Sequence, residues 1–127
     1  MVRHFDVERK TFLLTDASRL KGIGFALMQT DNYGKHFLVQ CGSRSLSGAE
    51  TRYATIELEA LAIVWAVKKC RFYLQGGPFS VVTDHRPLIG IINKKPLDQV
   101  DNPRLQRLVE KLAGFQFHIE WLPGKTH

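Results

Sequence analysis

The sequence predicts an α/β domain built on a five-stranded mixed sheet flanked by helices. Three observations predict it. Apolar patterns along the chain read strand, strand, strand, helix, strand, helix, strand, with one small extra helix inserted. The first three strands are separated by turn residues, as in a meander. A long helix then joins the third strand to the fourth, and a crossover of this kind lays the fourth strand parallel to the first. The 127 residues suffice for one domain with one core.

The elements follow in order. Residues 1–10 are polar and read as a lead-in from a preceding domain. Residues 11–17, opening Thr11-Phe12-Leu13-Leu14-Thr15, form the first strand, and residues 22–30 the second. Asp31-Asn32-Tyr33-Gly34 is a turn signal, and Lys35 to Cys41 is the third strand. A loop runs from Gly42 to Tyr53. From Thr55 to Leu74, Ile56, Ala60, Ile63, Val67, Cys70 and Leu74 recur at spacings of four and three, the core stripe of an amphipathic helix. Gly76-Gly77-Pro78 ends that helix and opens a fourth strand at 79–83.

Arg86 to Ile92 is a short helix entered through Pro87, and Asp98 to Asn102 is a loop. Asn102 as N-cap and Pro103 at the first position start a further helix, whose stripe is Leu105, Leu108, Val109 and Leu112 and which Gly114 ends. Phe115 to Trp121 alternates, with Phe117, Ile119 and Trp121 on one face and Gln116, His118 and Glu120 on the other, as a fifth strand does. Pro123-Gly124 is a turn. There is no internal repeat, low-complexity stretch or linker.

Hydrophobic residues make up 44% and charged residues 24%, ordinary for a soluble globular protein. No apolar run approaches the roughly 18 residues of a membrane span, and Met1-Val2-Arg3-His4 does not open a signal peptide, so no membrane partner is expected. Two cysteines without metal spacing, Cys41 on a strand and Cys70 in a helix core, fit a reducing intracellular compartment and no disulfide. The net charge of +6 favours a polyanionic partner. Lys68, Lys69 and Arg71 cluster at the end of the long helix, and Lys94, Lys95, Arg104, Arg107 and Lys111 follow the fourth strand. Phe5, Phe12, Trp65, Phe72 and Tyr73 have the spacing of core residues, while Tyr53, in the loop before the long helix, is a candidate nucleic-acid contact. His4, His36 and His118 read as surface residues.

Three acids carry the chemistry. Asp16 follows the run ending in Thr15, and Asp84 follows Phe79-Ser80-Val81-Val82-Thr83, so each stands in a strand-then-Thr-Asp setting. A carboxylate at the end of a buried strand is costly to desolvate, and shared binding of a divalent cation compensates such a cluster. Glu59 lies three residues after Ile56 and four before Ile63, on the border of the helix stripe, and is the glutamate expected to face the sheet. Glu57 is turned further away and suits the helix macrodipole.

These residues belong to a longer ordered set: Leu14-Thr15-Asp16-Ala17-Ser18, Gly22-Ile23-Gly24, Ser43-Arg44-Ser45-Leu46, Ala49-Glu50, Arg52-Tyr53, Glu57-Leu58-Glu59-Ala60-Leu61-Ala62-Ile63-Val64, Phe72-Tyr73-Leu74, Thr83-Asp84-His85 and Trp121-Leu122-Pro123-Gly124-Lys125. The set resembles the RNase H domain of gypsy-type LTR retrotransposon reverse transcriptases over nearly the whole chain. The resemblance implies the RNase H fold with strand order 3-2-1-4-5. It also implies an endonuclease that hydrolyses the RNA strand of RNA–DNA hybrids with two Mg²⁺ ions, for which Mn²⁺ substitutes.

By that resemblance Asp16, Glu59 and Asp84 are both catalytic residues and metal ligands. Asp16 bridges the ions, Glu59 serves the ion at the leaving 3′ oxygen, and Asp84 serves the ion that activates water. Ser18, Arg44, Thr55 and His85 are candidate nucleic-acid contacts, with Ser18 placed to sense a 2′-hydroxyl. A turn-forming serine, a helix-capping threonine and a surface or proton-shuttling histidine are the other readings of Ser18, Thr55 and His85. The expected partners are an RNA–DNA hybrid and the polymerase and connection domains of the same polyprotein, with the domain itself monomeric and at work in a cytoplasmic reverse-transcribing particle. The family's fourth carboxylate, in an Ala-Asp-Ala-x-Ser-Arg segment, falls beyond His127, so the chain reads as cut just before it. A catalytically weak or inactive structural domain on the same fold is the alternative. The chain order Asp, Glu, Asp argues against an integrase, which runs Asp, Asp, Glu.

Overall fold

A computed structural model of the chain describes residues 5–94 and 102–121. The strands are β1 (Thr11–Ser18), β2 (Gly22–Thr30), β3 (His36–Arg44), β4 (Phe79–Thr83) and β5 (Phe117–Trp121), and the helices are α1 (Thr55–Lys69), α2 (Arg71–Leu74), α3 (Arg86–Lys94) and α4 (Pro103–Glu110). A turn of 3₁₀-helix at Glu50–Arg52 breaks the loop before α1, which sequence pattern did not indicate. The expected turn at Pro123-Gly124, the loop residues Asp98 to Asp101, and His4 and Lys95 lie outside the described residues.

The sheet order is β3-β2-β1-β4-β5, as expected. β1 and β2 pair antiparallel, as do β2 and β3, while β4 runs parallel to both β1 and β5. Lateral partners share a face. Leu13, Leu27, Val81 and Ile119 therefore form one row across four strands, and all four are buried. That row faces α1. Phe25, which pairs with Thr15 on the same face, meets the Trp65 ring edge-on at 5.4 Å. Ala60, Ile63, Val67, Cys70 and Leu74 of the predicted stripe are all buried in the core, and Ile56 is half-buried.

The long helix expected over Thr55 to Leu74 is divided. Its regular dihedrals stop at Cys70 (φ −99°, ψ 12°), where the chain turns into α2. The division keeps Leu74 in the core and leaves Phe72 88% exposed, against the expectation of a core position, with its ring against Tyr73. Phe5, Phe12, Trp65 and Tyr73 are half-buried. Both cysteines are free; Cys41 is exposed and Cys70 buried, with burial pushing its thiol up to about 12. α4 starts at Pro103 with Asn102 as N-cap, accepting from the Leu105 N–H at 3.0 Å, as its sequence required.

The segment before β1 is tied to the sheet. Gln29, wholly buried on β2, accepts from the Asp6 N–H (2.9 Å) and donates to the Asp6 carbonyl (2.7 Å) and the Thr11 hydroxyl (2.9 Å). A cavity of about 370 Å³ lies beside it, lined by residues including Phe5, Thr11, Tyr73, Leu74 and Phe79. Thr11 and Phe79 begin β1 and β4, so the C-terminal end of the α1–α2 segment lies over the strand starts. α1, packed over β1 and β2, thus runs antiparallel to β1 and β4, with its N-terminal turns toward the strand ends.

Gly22 shows how tightly β2 begins. Its φ of +105° is open to glycine, and a Cβ there would overlap the Arg44 carbonyl across the β2–β3 pair. Gly34 also has positive φ (+80°), but a Cβ there meets nothing within 4 Å. Gly22→Ala therefore combines strain with a backbone clash, and we expect a loss of about 2 kcal/mol or more in urea unfolding. Gly34→Ala carries only the strain, and a loss of about 1 kcal/mol is expected.

Candidate active site

The two aspartates are set by register. β1 and β4 pair as Phe12↔Ser80, Leu13↔Val81 and Leu14↔Val82. Asp16 and Asp84 each stand two residues beyond the last of these pairs, on neighbouring parallel strands roughly 4.8 Å apart. Thr15 and Thr83, directly before them, are 1% and 0% exposed. Alternation then turns Asp16 and Asp84 the other way, and both are exposed. The cross-strand partner of Asp16 is Gly24, so no side chain stands beside it on β2.

Glu59 comes from the helix. It is 6% exposed, and buried beside it on α1 are Leu58, Ala60, Ala62 and Ile63. It precedes Trp65 by six residues, about 9 Å along the axis. Trp65 is level with Phe25 and hence with Thr15, so Glu59 lies beyond that level, toward the strand ends. The backbone thus carries all three acids to one edge of the sheet. Among the described residues, no three His, Cys, Asp or Glu side chains stand close enough together to hold one ion. Like charges repel, and gathering three carboxylates takes a compensating cation.

Glu57 departs from expectation. It is as buried as Glu59, at 6% exposure. Its Oε1 accepts from the Ala54 N–H (2.9 Å) and pairs with Arg104 Nη1 (3.3 Å), and its Oε2 accepts from Asn102 Nδ2 (2.7 Å). Burial pushes its pKa up; the bonds from Asn102, Ala54 and Arg104 outweigh that and hold it below the ordinary carboxylate range. The helical-wheel angle turned it further from the core stripe than Glu59; α4, packed against α1, covers it.

The candidate nucleic-acid contacts have diverse settings. Ser18 ends β1, and its Oγ accepts from the Lys21 N–H at 3.2 Å, closing the β1–β2 turn. Thr55 is exposed at the first position of α1, while the N-cap is Ala54. The His85 N–H donates to Thr83 Oγ1 at 3.2 Å, and the residue is half-buried beside Asp84. Arg44 makes a two-pronged pair with Glu50, at 2.7 and 3.0 Å, beneath which lies the Trp65 ring at 5.5 Å. Tyr53 carries the Arg104 guanidinium 4.4 Å over its ring. The basic clusters separate: Lys68, Lys69 and Arg71 are exposed at the end of α1 away from Glu59, whereas Arg107 and Lys111 are exposed on and just after α4, whose start is bonded to the start of α1.

The profile of the RNase H-like domain found in reverse transcriptase matches residues 6–115. The Transposon Tf2-3 polyprotein of Schizosaccharomyces pombe is 36% identical over 129 aligned residues, which take in 100% of this chain and 10% of the polyprotein. The Tf2-4 polyprotein of the same organism matches equally. The chain therefore spans about a tenth of the length of the curated relatives it matches. Among solved structures, a foamy viral protease-reverse transcriptase in complex with dsDNA superposes with a TM-score of 0.75 at 15% identity, covering 99% of this chain and 26% of that one. RNase H1 from Halobacterium salinarum gives 0.64 at 18% identity, covering 91% and 86%. LC11-RNase H1 in complex with RNA/DNA hybrid gives 0.64 at 13% identity, covering 91% and 86%. These structural likenesses concern the fold.

The Arg44–Glu50 pair makes a pH prediction. The bond from Arg44, against the cost of burial and with help from Ser47, lowers Glu50 from 4.5 to about 2. A depressed carboxylate contributes stability that is full above its unfolded pKa and fades as pH falls through the folded one. Glu50→Gln should cost on the order of 2 kcal/mol at pH 7, measured by urea unfolding. The gap between variant and parent should narrow from about pH 4.5 downward and close near pH 2. A gap that stays constant over that window would show that the pair does not hold the loop.

Proposed function

The chain belongs to the family of RNase H-like domains found in reverse transcriptase, and from that membership we propose that it hydrolyses the RNA strand of RNA–DNA hybrids during reverse transcription of a gypsy-type LTR retrotransposon. One observation carries the reading: Asp16 and Asp84 each stand two residues past the last β1–β4 register pair, on neighbouring parallel chain segments, and the N-terminal turns of α1 bring the buried Glu59 toward the same edge. Ligands of such sheets sit outside the carboxyl ends of the strands. The donor set fits Mg²⁺: all three residues are carboxylates, and neither thiol belongs to the set. Asp16, Glu59 and Asp84 would hold it. The chemistry that bound Mg²⁺, or Mn²⁺ in its place, supplies there is neutralisation of phosphate charge and activation of water by the two-metal route.

The chain's own residues do the rest. Arg107, exposed on α4, and Lys111, exposed just after it, supply phosphate contacts to a duplex lying across the strand ends. Ser18, two residues past Asp16, and His85, next to Asp84, lie where a minor-groove 2′-hydroxyl and backbone pass, and exposed Thr55 lies at the start of α1. Arg44 acts there less directly, since its guanidinium is engaged by Glu50. Polymerase and connection domains of the same polyprotein are the proposed partners, and a cytoplasmic particle the proposed setting.

A second reading, a catalytically weak or inactive interaction domain, draws on the lack of a three-ligand cluster among the described residues. Cleavage of a labelled hybrid by the folded chain decides between them. Mg²⁺-dependent cuts in the RNA strand are expected, with Asp16→Asn or Glu59→Gln lowering the rate by more than about a hundredfold, since even outer-shell partners of metals are worth 10–100-fold. A folded protein inactive with both Mg²⁺ and Mn²⁺ makes the interaction domain the correct reading. Hybrid binding should weaken with salt by roughly 0.9 in log–log slope per phosphate contact, and Arg107→Ala should reduce that slope by about one such unit. A slope unchanged in Arg107→Ala would remove α4 from the interface.

A further inference from the structure

One continuous set of polar contacts surrounds the start of α1. Arg19, in the β1–β2 turn three residues past Asp16, donates through Nη1 to the Thr51 and Tyr53 carbonyls, both at 2.7 Å. The Tyr53 ring bears the Arg104 guanidinium at 4.4 Å. Arg104 pairs with Glu57. Glu57 holds the Ala54 N–H, the N-cap of α1, and takes a bond from Asn102, whose own Oδ1 caps α4. The end of β1, the loop, the first turn of α1 and the first turn of α4 are thereby joined through one buried carboxylate. Alanine at the N-cap offers no side-chain acceptor, so the first turn of α1 depends on Glu57 more than an ordinary capped helix would.

We propose that Glu57 is a positioning residue for Glu59: by fixing the first turn of α1 to α4 it sets the direction in which the Glu59 carboxylate faces the strand ends. The inference rests on the cation-binding reading of Asp16, Glu59 and Asp84. Glu57 is the third residue of α1 and Glu59 the fifth, so they share one stretch of backbone. A side chain carried about 6 Å from the helix axis moves about 1 Å when the helix rolls by 10°, which exceeds the roughly 0.5 Å within which a metal constellation must be held. Apolar packing at this end, from Leu58, Ala60, Ala62 and Ile63, holds the helix down without directional bonds, and the large ring contact, Trp65 on Phe25, is a full turn and more away. The directional bonds at Glu57 supply the resistance.

The hydrogen-bond pattern permits a swap that tests this. In Glu57→Gln, the amide oxygen still accepts from Ala54 and Arg104, but the amide nitrogen meets the Asn102 donor. Adding Asn102→Asp restores the bond with its direction reversed, the new amide nitrogen on α1 donating to the new carboxylate at the start of α4. Aspartate caps a helix as well as asparagine does, so the start of α4 is kept.

Mn²⁺ binding is measured by titration calorimetry on the parent chain, on Glu57→Gln, on the double variant and on Asp16→Asn, with the unfolding midpoint of each. The expected result is parent binding that Asp16→Asn removes, about tenfold weaker binding in Glu57→Gln, and recovery to within about twofold in the double variant. Parent-like Mn²⁺ affinity in folded Glu57→Gln overturns the proposal and leaves the metal reading standing. So does weakened binding that the double variant fails to recover once its unfolding midpoint has returned to the parent value. No binding to the parent that Asp16→Asn removes overturns the metal reading, and this inference with it.

Discussion

The in-register parallel pairing of β1 with β4 is the constraint on which the rest depends. Leu13 and Val81, both wholly buried, are partners in that pairing and lock it. A slip of one residue would turn the apolar set of β4 out of the core it shares with Leu13, at a cost of several buried side chains. The same slip would carry Asp84 to the opposite face from Asp16. Core packing and the alignment of the two acids are therefore one condition. The sheet edge can hold charge there because the threonines before each aspartate close the core, and the next side chain is exposed on the other side.

α1 is placed by two kinds of force. Along its length, Ala60, Ile63, Val67 and Cys70 pack into the sheet, and Trp65 bridges Phe25 below with Arg44 and Lys69 nearby. That packing sets the height of the helix above the sheet. At its start, polar contacts set its orientation: the Arg44–Glu50 pair folds the preceding loop, Arg19 holds the loop carbonyls, and Glu57 ties the first turn to α4. Hydrogen bonds are directional where apolar burial is not, which suits them to the end of the helix that bears Glu59.

The charge distribution acquires a shape only in three dimensions. The run at Lys68, Lys69 and Arg71 is conspicuous in sequence, yet it lies nine residues or more from Glu59, about 14 Å along the axis, at the far end of α1. Arg107 and Lys111 are less conspicuous and belong to the helix whose start is bonded to that of α1. Arg104 and Arg44, counted as free positive charge in composition, are each paired with a glutamate. Each such pair is already neutral within the net charge of +6, and with Lys68, Lys69 and Arg71 at the far end of α1 only part of that charge lies near the site edge.

Local pattern was enough to read the strands at 11–17, 22–30 and 79–83, the Asn102-Pro103 helix start, the core stripe of the long helix and the strand-then-Thr-Asp repeat. Each is written in adjacent residues through period, turn chemistry or capping. The sheet order followed once the long helix was recognised as a crossover, and Glu59 once its stripe was drawn. Burial of Glu57, exposure of Phe72, the break at Cys70 and the pairing of Arg44 with Glu50 were decided elsewhere. Glu57 is buried because α4, 45 residues away at Asn102, brings it a partner. Phe72 is exposed because the helix bends at a residue that is neither glycine nor proline, so that Leu74 can reach the core. Period and propensity report which face of an element is apolar; which neighbour covers it, and with what donors, depends on segments far apart in the chain and is settled only when they pack.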